Sequence, residues 1–360
     1  MIQMNKQKRL RLGLSGCGSF SVVDASAVKK SQMTQLIACF DVAPENRRRC
    51  SEKFGCDQEQ SYEDLVKRDD IDGVLLVSPN AVHREQAMLA AQHGKHVFVE
   101  KPIANTIDDG KRMIESCQKA GVVLMVGHYL RRNAGIRKVK ELIEGGAIGK
   151  PVMVEANASS RQGFELTPNQ FRWYGNDSGC PGGALLTIGI HYVDVFNYLL
   201  GPIKSVFATF NKLYIPAEVE DVATTVCQFE SGILGYLGSS FASPRTHRMS
   251  IYGTEANLLW TILVRDLSFD EAHEVMVKKI PPAQLILFEK GKESREIPLT
   301  TVDPYVEEIE EFARCCQTGE KPETDGEGGL INLAFIRAAI ESSRIEKPVK
   351  IDIRRKLSGS

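Results

Sequence analysis

Apolar residues in the first third of the chain fall into short runs separated by longer amphipathic stretches. Arg9 to Leu14, Gln35 to Phe40, Asp72 to Val77, His96 to Val99 and Val122 to Val126 each read as a strand. The Asp72 to Val77 run is apolar enough for a strand buried on both faces. Phe20 to Lys30, a segment opening near Pro44, Val82 to His93 and Ile107 to Ala120 read as helices between them. Strands alternating with helices predict a doubly wound parallel sheet.

Beyond Val126 the pattern changes. A helix is expected over Gly135 to Glu144, ending at Gly145-Gly146. Strand-like runs then follow with few helices between: Val152 to Ala158, Ile203 to Phe210, Ala223 to Phe229, Ile233 to Ser239, Met249 to Tyr252 and Ala256 to Trp260. These predict a large, mostly antiparallel open sheet. Ala184 to Leu200 interrupts them as a helix apolar almost all round, so it is expected to be buried. The chain closes with helices at Pro304 to Thr318 and near Gly329 to Ile345, then a short strand near Val349 to Ile353. The expected class is α/β, with a doubly wound domain over residues 8–130 and an α+β domain over 131–353. With no flexible linker between them, the cleft between the domains is the expected active site.

Composition narrows the function. Lys and Arg number 45 and Asp and Glu 46, so charge gives no reason to expect a nucleic acid or anionic membrane as partner. No apolar run approaches a membrane span, and Met1 to Leu10 has no apolar core of a signal peptide. The nine cysteines are scattered without a Cys-x-x-Cys. They read as reduced thiols of a cytoplasmic protein, with neither a disulfide framework nor a metal site expected.

The chemistry centres on two stretches. Glu100-Lys101-Pro102 follows the fourth strand, which puts Lys101 at the carboxyl edge of the sheet, where open α/β folds bind ligands. Pro102 keeps Lys101 extended. Upstream, Gly16-Cys17-Gly18-Ser19-Phe20-Ser21 reads G-x-G-x-x-S between a strand and a helix. Gly16 permits the tight turn, Gly18 lets backbone approach a pyrophosphate, and the helix amino terminus offers free N–H groups. A plain glycine turn is the alternative. Asp41 lies 20 residues past Ser21, where an acid binds the ribose hydroxyls of NAD; it also suits a cap for the helix near Pro44. Arg47-Arg48-Arg49 is either a solvated helix face or a seat for the 2′-phosphate of NADP. NAD is the favoured cofactor and NADP the alternative.

The second stretch runs from Gly182-Gly183 to Asp194. Thr187 and His191 are four apart and are expected on one helix face, with Asp194 a turn further on. A lone histidine in an apolar helix is ordinarily a satisfied core residue, and that plainer reading stands beside the functional one. Polar candidates for sugar hydroxyls are His128, Tyr129, Asn157 and Arg161, with Asp177 and Asp194. Arg131-Arg132 reads either as a solvated pair or as a clamp for an anionic substrate.

Taken together, the glycine loop, Ser78-Pro79-Asn80 with His83, Glu100-Lys101-Pro102 and the Gly182-Gly183 helix ending in His191 make the sequence resemble the Gfo/Idh/MocA family of sugar and cyclitol dehydrogenases. The resemblance covers nearly the whole chain. It implies a Rossmann domain followed by an open-sheet domain, assembled as a homodimer or homotetramer. It implies that Lys101 and His191 form the catalytic pair, transferring hydride between a secondary alcohol of a sugar-like substrate and NAD(P). It implies cofactor contacts from Gly16, Cys17, Gly18, Ser19, Phe20, Asp41, Ser78, Pro79, Asn80, His83, Glu100, Lys101 and Arg172, the last in Phe171-Arg172-Trp173. Thr187 stands where many members carry an aspartate, and threonine cannot act as a carboxylate base. Two rivals are an NAD-dependent redox glycosidase that works by oxidation and elimination, and a non-enzymatic dinucleotide sensor.

Overall fold

The structure, a computed structural model, describes residues 9–165, 180–262 and 283–352. It divides into two units. One comprises the chain up to Gly127 together with Tyr305–Glu327; the other comprises His128–Pro304 with the chain from Gly328 onward.

In the first unit, strands β1 (Leu10–Ser15), β2 (Thr34–Phe40), β3 (Asp57–Gln58), β4 (Gly73–Leu76), β5 (His96–Glu100) and β6 (Leu124–Gly127) form one parallel sheet in the order β3-β2-β1-β4-β5-β6. The helices α1 (Ser21–Lys30), α2 (Pro44–Phe54), α3 (Tyr62–Lys67), α4 (His83–Gln92) and α5 (Ile107–Ala120) connect the strands. Parallel strands need such crossovers, and their cover explains the apolar runs: Leu12, Leu14, Val74, Leu75, Val97 and Phe98 are fully buried. Strand order reverses between β1 and β4, so the loops at their carboxyl ends flank the switch point where this architecture receives ligands. Helix α5 shows how the sequence fixes an element. Thr106 caps it by accepting from Asp109 N at 3.1 Å, and Gly121 ends it with φ +67°.

The expectation that everything past residue 131 belongs to the second domain differs from this division. In the segment Tyr305–Glu327, Phe312 packs edge-on against Phe98 with ring centroids 5.8 Å apart, and Thr324 O accepts from Val126 N at 2.7 Å. An amphipathic helix carries no mark in its own sequence of which sheet its apolar face will cover. Strand β3 and helix α3 also escaped the pattern, being too short to show a period.

The second unit holds a nine-stranded sheet. After helix α6 (Ala134–Glu144) come β7 (Pro151–Ser159), helix α7 (Ile190–Leu200), β8 (Ile203–Asn211), β9 (Val222–Phe229), β10 (Leu234–Ser240), β11 (Thr246–Gly253), β12 (Ala256–Ile262), β13 (Ala283–Glu289), β14 (Arg295–Glu296) and β15 (Val349–Lys350). The order is β14-β13-β12-β11-β7-β10-β9-β8-β15, antiparallel at each neighbour pair except β7–β10. Alternation along β9 is clean. Ala223, Thr225, Cys227 and Phe229 are buried, and Phe229 meets Phe196 of α7 at 6.3 Å between ring centroids. The opposite face carries Phe207, Val226 and Tyr236 in register across β8, β9 and β10, all exposed. Among the described residues no helix is long and apolar enough to cross a membrane.

Candidate active site

The glycine loop leaves β1 at Ser15. Gly16 has φ +91°, and a Cβ there would stand 2.5 Å from Val77 O, so neither the angle nor the space admits a side chain. A Cβ on Gly18 would meet nothing within 4 Å, so its backbone borders open space. Helix α1 begins at Ser21 with no side chain capping it, leaving its first N–H groups to an anion. Ser21, in the place of a third glycine, turns its hydroxyl back to Gly18 O at 2.6 Å. The departure from glycine is thereby absorbed within the loop. These features fit a dinucleotide's pyrophosphate.

Asp41 does two jobs. One oxygen accepts from Cys17 N at 2.8 Å and fixes the loop; the other accepts from Ala43 N at 2.8 Å and starts α2. Of the three arginines after it, Arg48 and Arg49 are exposed on α2 and Arg47 turns inward. Arg47 is buried, donating to Asp41 O at 2.7 Å and to Gln60 at 3.0 Å, while Arg48 pairs with Glu45 and Glu52 and Arg49 donates to Asn46. Arg48 and Arg49 thus form a solvated helix face, and Arg47 alone is withdrawn from a 2′-phosphate.

Ser78-Pro79-Asn80 follows β4. Ser78 donates to Gln86 at 2.6 Å, and Asn80 is buried. His83 is also fully buried. Its Nε2 lies 2.9 Å from Ser78 O and its Nδ1 3.2 Å from Pro102 O. Burial pushes its pKa down. His83 ties the loop after β4 to the one after β5.

Lys101 lies at the carboxyl end of β5, before a cis peptide to Pro102. Glu100 is buried and accepts from Lys101 N at 3.2 Å. A Cβ at Gly127 would come 2.5 Å from Glu100 Oε1, so the absent side chain at Gly127 makes the space for this carboxyl. Burial pushes Glu100 up to about 7, and the Lys101 ammonium works against that rise. A second acid escaped sequence reasoning. Asp24 of α1 is buried and held well above the usual carboxylate range, first by burial and then by Glu100 and Glu308, against the pull of Lys101. Its signal was available: one acid within Val22–Val28, a stretch otherwise apolar or small.

In the second unit, Gly183 has φ +47°, and a Cβ there would stand 2.0 Å from Glu220 O. The close approach expected of the glycine pair is thus to the protein's own backbone. The helix that follows is not uniform. Leu185–Gly189 is a π turn, and α-helix resumes at Ile190. Thr187 donates to Gly183 O at 2.9 Å and lies 3.2 Å from Cys180 Sγ, while the His191 ring meets Tyr129 edge-on at 4.8 Å and His128 at 6.4 Å.

Beneath these rings is a buried polar network. Arg131 donates through Nε to Asp194 Oδ2 at 2.8 Å and through a second nitrogen to Oδ1. Asn332 donates to Asp194 Oδ1 at 2.8 Å and lies 3.2 Å from His128 Nε2. Burial opposes ionisation of Asp194, but the Arg131 and His128 charges and these hydrogen bonds overcome it and hold the carboxyl at about 2. Neither expectation for Arg131-Arg132 survives: both residues are buried, and Arg131 is committed to Asp194, which is equally unavailable to a sugar. Asn332 had no local sequence signal.

The remaining candidates separate. Asn157 is exposed on the face of β7 opposite buried Ala156 and Ala158, and Arg161 is exposed just past that strand. Arg172, with Phe171, Trp173 and Asp177, lies outside the described residues.

Two family models match the chain. Residues 10–128 match an oxidoreductase family with an NAD-binding Rossmann fold, and residues 136–259 match a GFO/IDH/MocA C-terminal domain. A myo-inositol 2-dehydrogenase of Thermotoga maritima is 28% identical over 95% of this chain and 99% of its own. A scyllo-inositol 2-dehydrogenase (NAD+) of Bacillus subtilis is 28% identical over 84% and 83%. A solved structure from Desulfitobacterium hafniense, assigned as an NADPH-dependent oxidoreductase, superposes with a TM-score of 0.88 at 31% identity, covering 98% of this chain and all of that one.

Proposed function

The chain belongs to the GFO/IDH/MocA family of NAD(P)-dependent oxidoreductases, and on that premise we propose that it oxidises a secondary alcohol of a sugar, sugar derivative or cyclitol, with Lys101 and His191 as its catalytic pair. The observation that carries the reading is Lys101 itself, at the carboxyl edge of a parallel sheet with the buried carboxyls of Glu100 and Asp24 in its field.

The loop Gly16–Phe20, the amino end of α1 and Asp41 would hold the dinucleotide, with Ser78, Pro79 and Asn80 beside them. Once bound, the nicotinamide supplies the hydride acceptor. The residues handle the proton and the charge. His191 takes the alcohol proton, a task suited to an imidazole because it titrates near neutrality. Its ring is held edge-on by Tyr129. Lys101 stabilises the negative charge developing on the alcohol oxygen. Thr187 positions the π turn through Gly183 rather than acting as a base. The named relatives act on inositols, which supports a cyclitol or sugar as substrate. The exposed row Phe207, Val226 and Tyr236 supports a homodimer built on the sheet face, the unit from which a tetramer would form.

The test is reduction of NAD and of NADP across inositols, aldoses, uronates and glycosides, with Lys101→Ala and His191→Ala alongside. Each variant should lose about 10²- to 10⁴-fold in kcat/KM while still binding NADH. Turnover surviving in both variants would refute the pair. Release of aglycone from a glycoside without net cofactor reduction would move the reaction to oxidation and elimination. Sedimentation of the same sample as a monomer would remove the assembly.

A further inference from the structure

Four of the nine cysteines, scattered in sequence, converge in the first unit. Cys17 lies in the glycine loop, Cys39 near the end of β2, Cys50 on α2 and Cys56 just after α2. The parallel register sets Leu14 beside Cys39, which brings the loop after β1 over the end of β2. Helix α2 turns Arg47 and Cys50 inward, one helical turn apart. As a result the sulfurs of Cys17, Cys39 and Cys50 all lie within 4.8 Å of one another. The side chain of Cys56 interacts with those of Cys39 and Cys50. All four are buried, at 7% exposure or less.

We propose that Cys17, Cys39 and Cys50, with Cys56 as fourth donor, bind one thiophilic divalent cation such as Zn2+, and that filling this site weakens dinucleotide binding at the glycine loop. The second half rests on the loop's proposed role; the first does not.

The geometry favours a metal over a disulfide. Sulfurs at about 2.3 Å from a tetrahedral ion stand about 3.8 Å apart, so those of Cys17, Cys39 and Cys50, within 4.8 Å of one another, need to close by about 1 Å at most. A disulfide needs closure to about 2.05 Å. Scattered buried thiols usually act as small hydrophobes, but that role does not require three of them to converge. The charge also balances. Each coordinating thiol releases its proton, so a dication with three thiolates carries one negative charge and with four carries two. The buried Arg47 guanidinium lies within electrostatic range of Cys39 and offsets one of them. The site is wired to the loop. Cys17 N–H holds Asp41 Oδ2 at 2.8 Å, and its Sγ lies 3.5 Å from Phe40 O. Drawing that sulfur inward pulls on the segment that must meet a pyrophosphate.

The test is a titration of reduced full-length protein with Cd2+, reading the thiolate-to-metal charge-transfer band in the ultraviolet, with proton release recorded in weak buffer. One ion per chain is expected, with three to four protons released. Cys39→Ser should lose the band and Cys316→Ser should keep it. Independently of any variant's folding, Cd2+ should protect Cys17, Cys39 and Cys50 of the native protein from alkylation and leave Cys316 unprotected. Absence of the band, or its survival in Cys39→Ser, overturns the site, as does protection of Cys316 alone. In the same samples, stoichiometric Zn2+ should weaken NADH binding by about tenfold. Unchanged NADH affinity overturns the coupling. If metal-free protein fails to bind NADH while the band forms, the loop's assigned role has failed and the metal site stands.

Discussion

Two buried carboxyls stand beside the two proposed catalytic groups, and the protein pushes them in opposite directions. Glu100, next to Lys101, is raised to about 7 by burial. Asp194, under His128 and close to His191 in the chain, is lowered to about 2 despite complete burial. The difference lies in what each acid is given. Asp194 has a two-pronged guanidinium and an amide donor. Glu100 has a backbone N–H at 3.2 Å and a neighbouring ammonium, with a second buried acid, Asp24, in the same field. Desolvation is common to both, and the number of donors aimed at the charge decides the sign. In consequence Asp194 is a fixed anion that orders its surroundings, while Glu100 changes protonation near neutrality.

The comparison breaks most severely if Asp194 loses its guanidinium. Arg131→Ala leaves a buried carboxylate facing one amide, and should cost about 3–5 kcal/mol in urea unfolding at neutral pH. Asp194→Asn in the same background should restore part of that loss, because the uncompensated charge is gone. A single variant within about 1 kcal/mol of the parent would show that Asp194 is not carried by Arg131.

On the Lys101 side the effect is smaller and carries the opposite pH sign. Glu100 titrates higher in the folded protein than unfolded, so the folded state binds its proton more tightly. Its contribution is present below its ordinary pKa of 4.5 and is lost as pH rises through about 7. The loss is about 3 kcal/mol at 1.36 kcal/mol per pKa unit. Glu100→Gln should remove this part of the decline and leave the part due to Asp24. Parallel stability profiles for parent and variant from about pH 4.5 to about pH 8 would show that Glu100 is ionised throughout.

How far each half could be read from sequence follows the same contrast. The glycine loop, Asp41, Lys101 and the apolar strands of the first unit announce themselves because a parallel sheet writes its cofactor edge into contiguous segments. His191 was legible by its helix, but its setting was not. The π turn at Leu185–Gly189 has no periodic signature, and Asn332 reaches Asp194 from 138 residues away. Arg131-Arg132 reads as surface until the partner 63 residues on is known. The thiol cluster was hidden for the same reason. Metal-binding cysteines are recognised by short spacing, whereas here the β1–β2 register and the inner face of α2 gather them.

The smallest effect is the acid limb of Asp194. Its folded pKa lies below its ordinary value of 3.8, so the folded state binds its proton less tightly than the unfolded one. The stability it contributes is complete above about 3.8 and falls away as pH drops through about 2. The difference corresponds to about 2 kcal/mol. Native protein followed by circular dichroism should lose that stability over this window, and Asp194→Asn should lose less. The two carboxyls therefore predict a stability profile with both limbs, the acid one set in the second unit and the neutral one in the first. A variant carrying both Glu100→Gln and Asp194→Asn should flatten both limbs additively if the two sites are independent. A deficit on the acid side alone, with the neutral limb unchanged by Glu100→Gln, would place the neutral-pH titration on Asp24 instead.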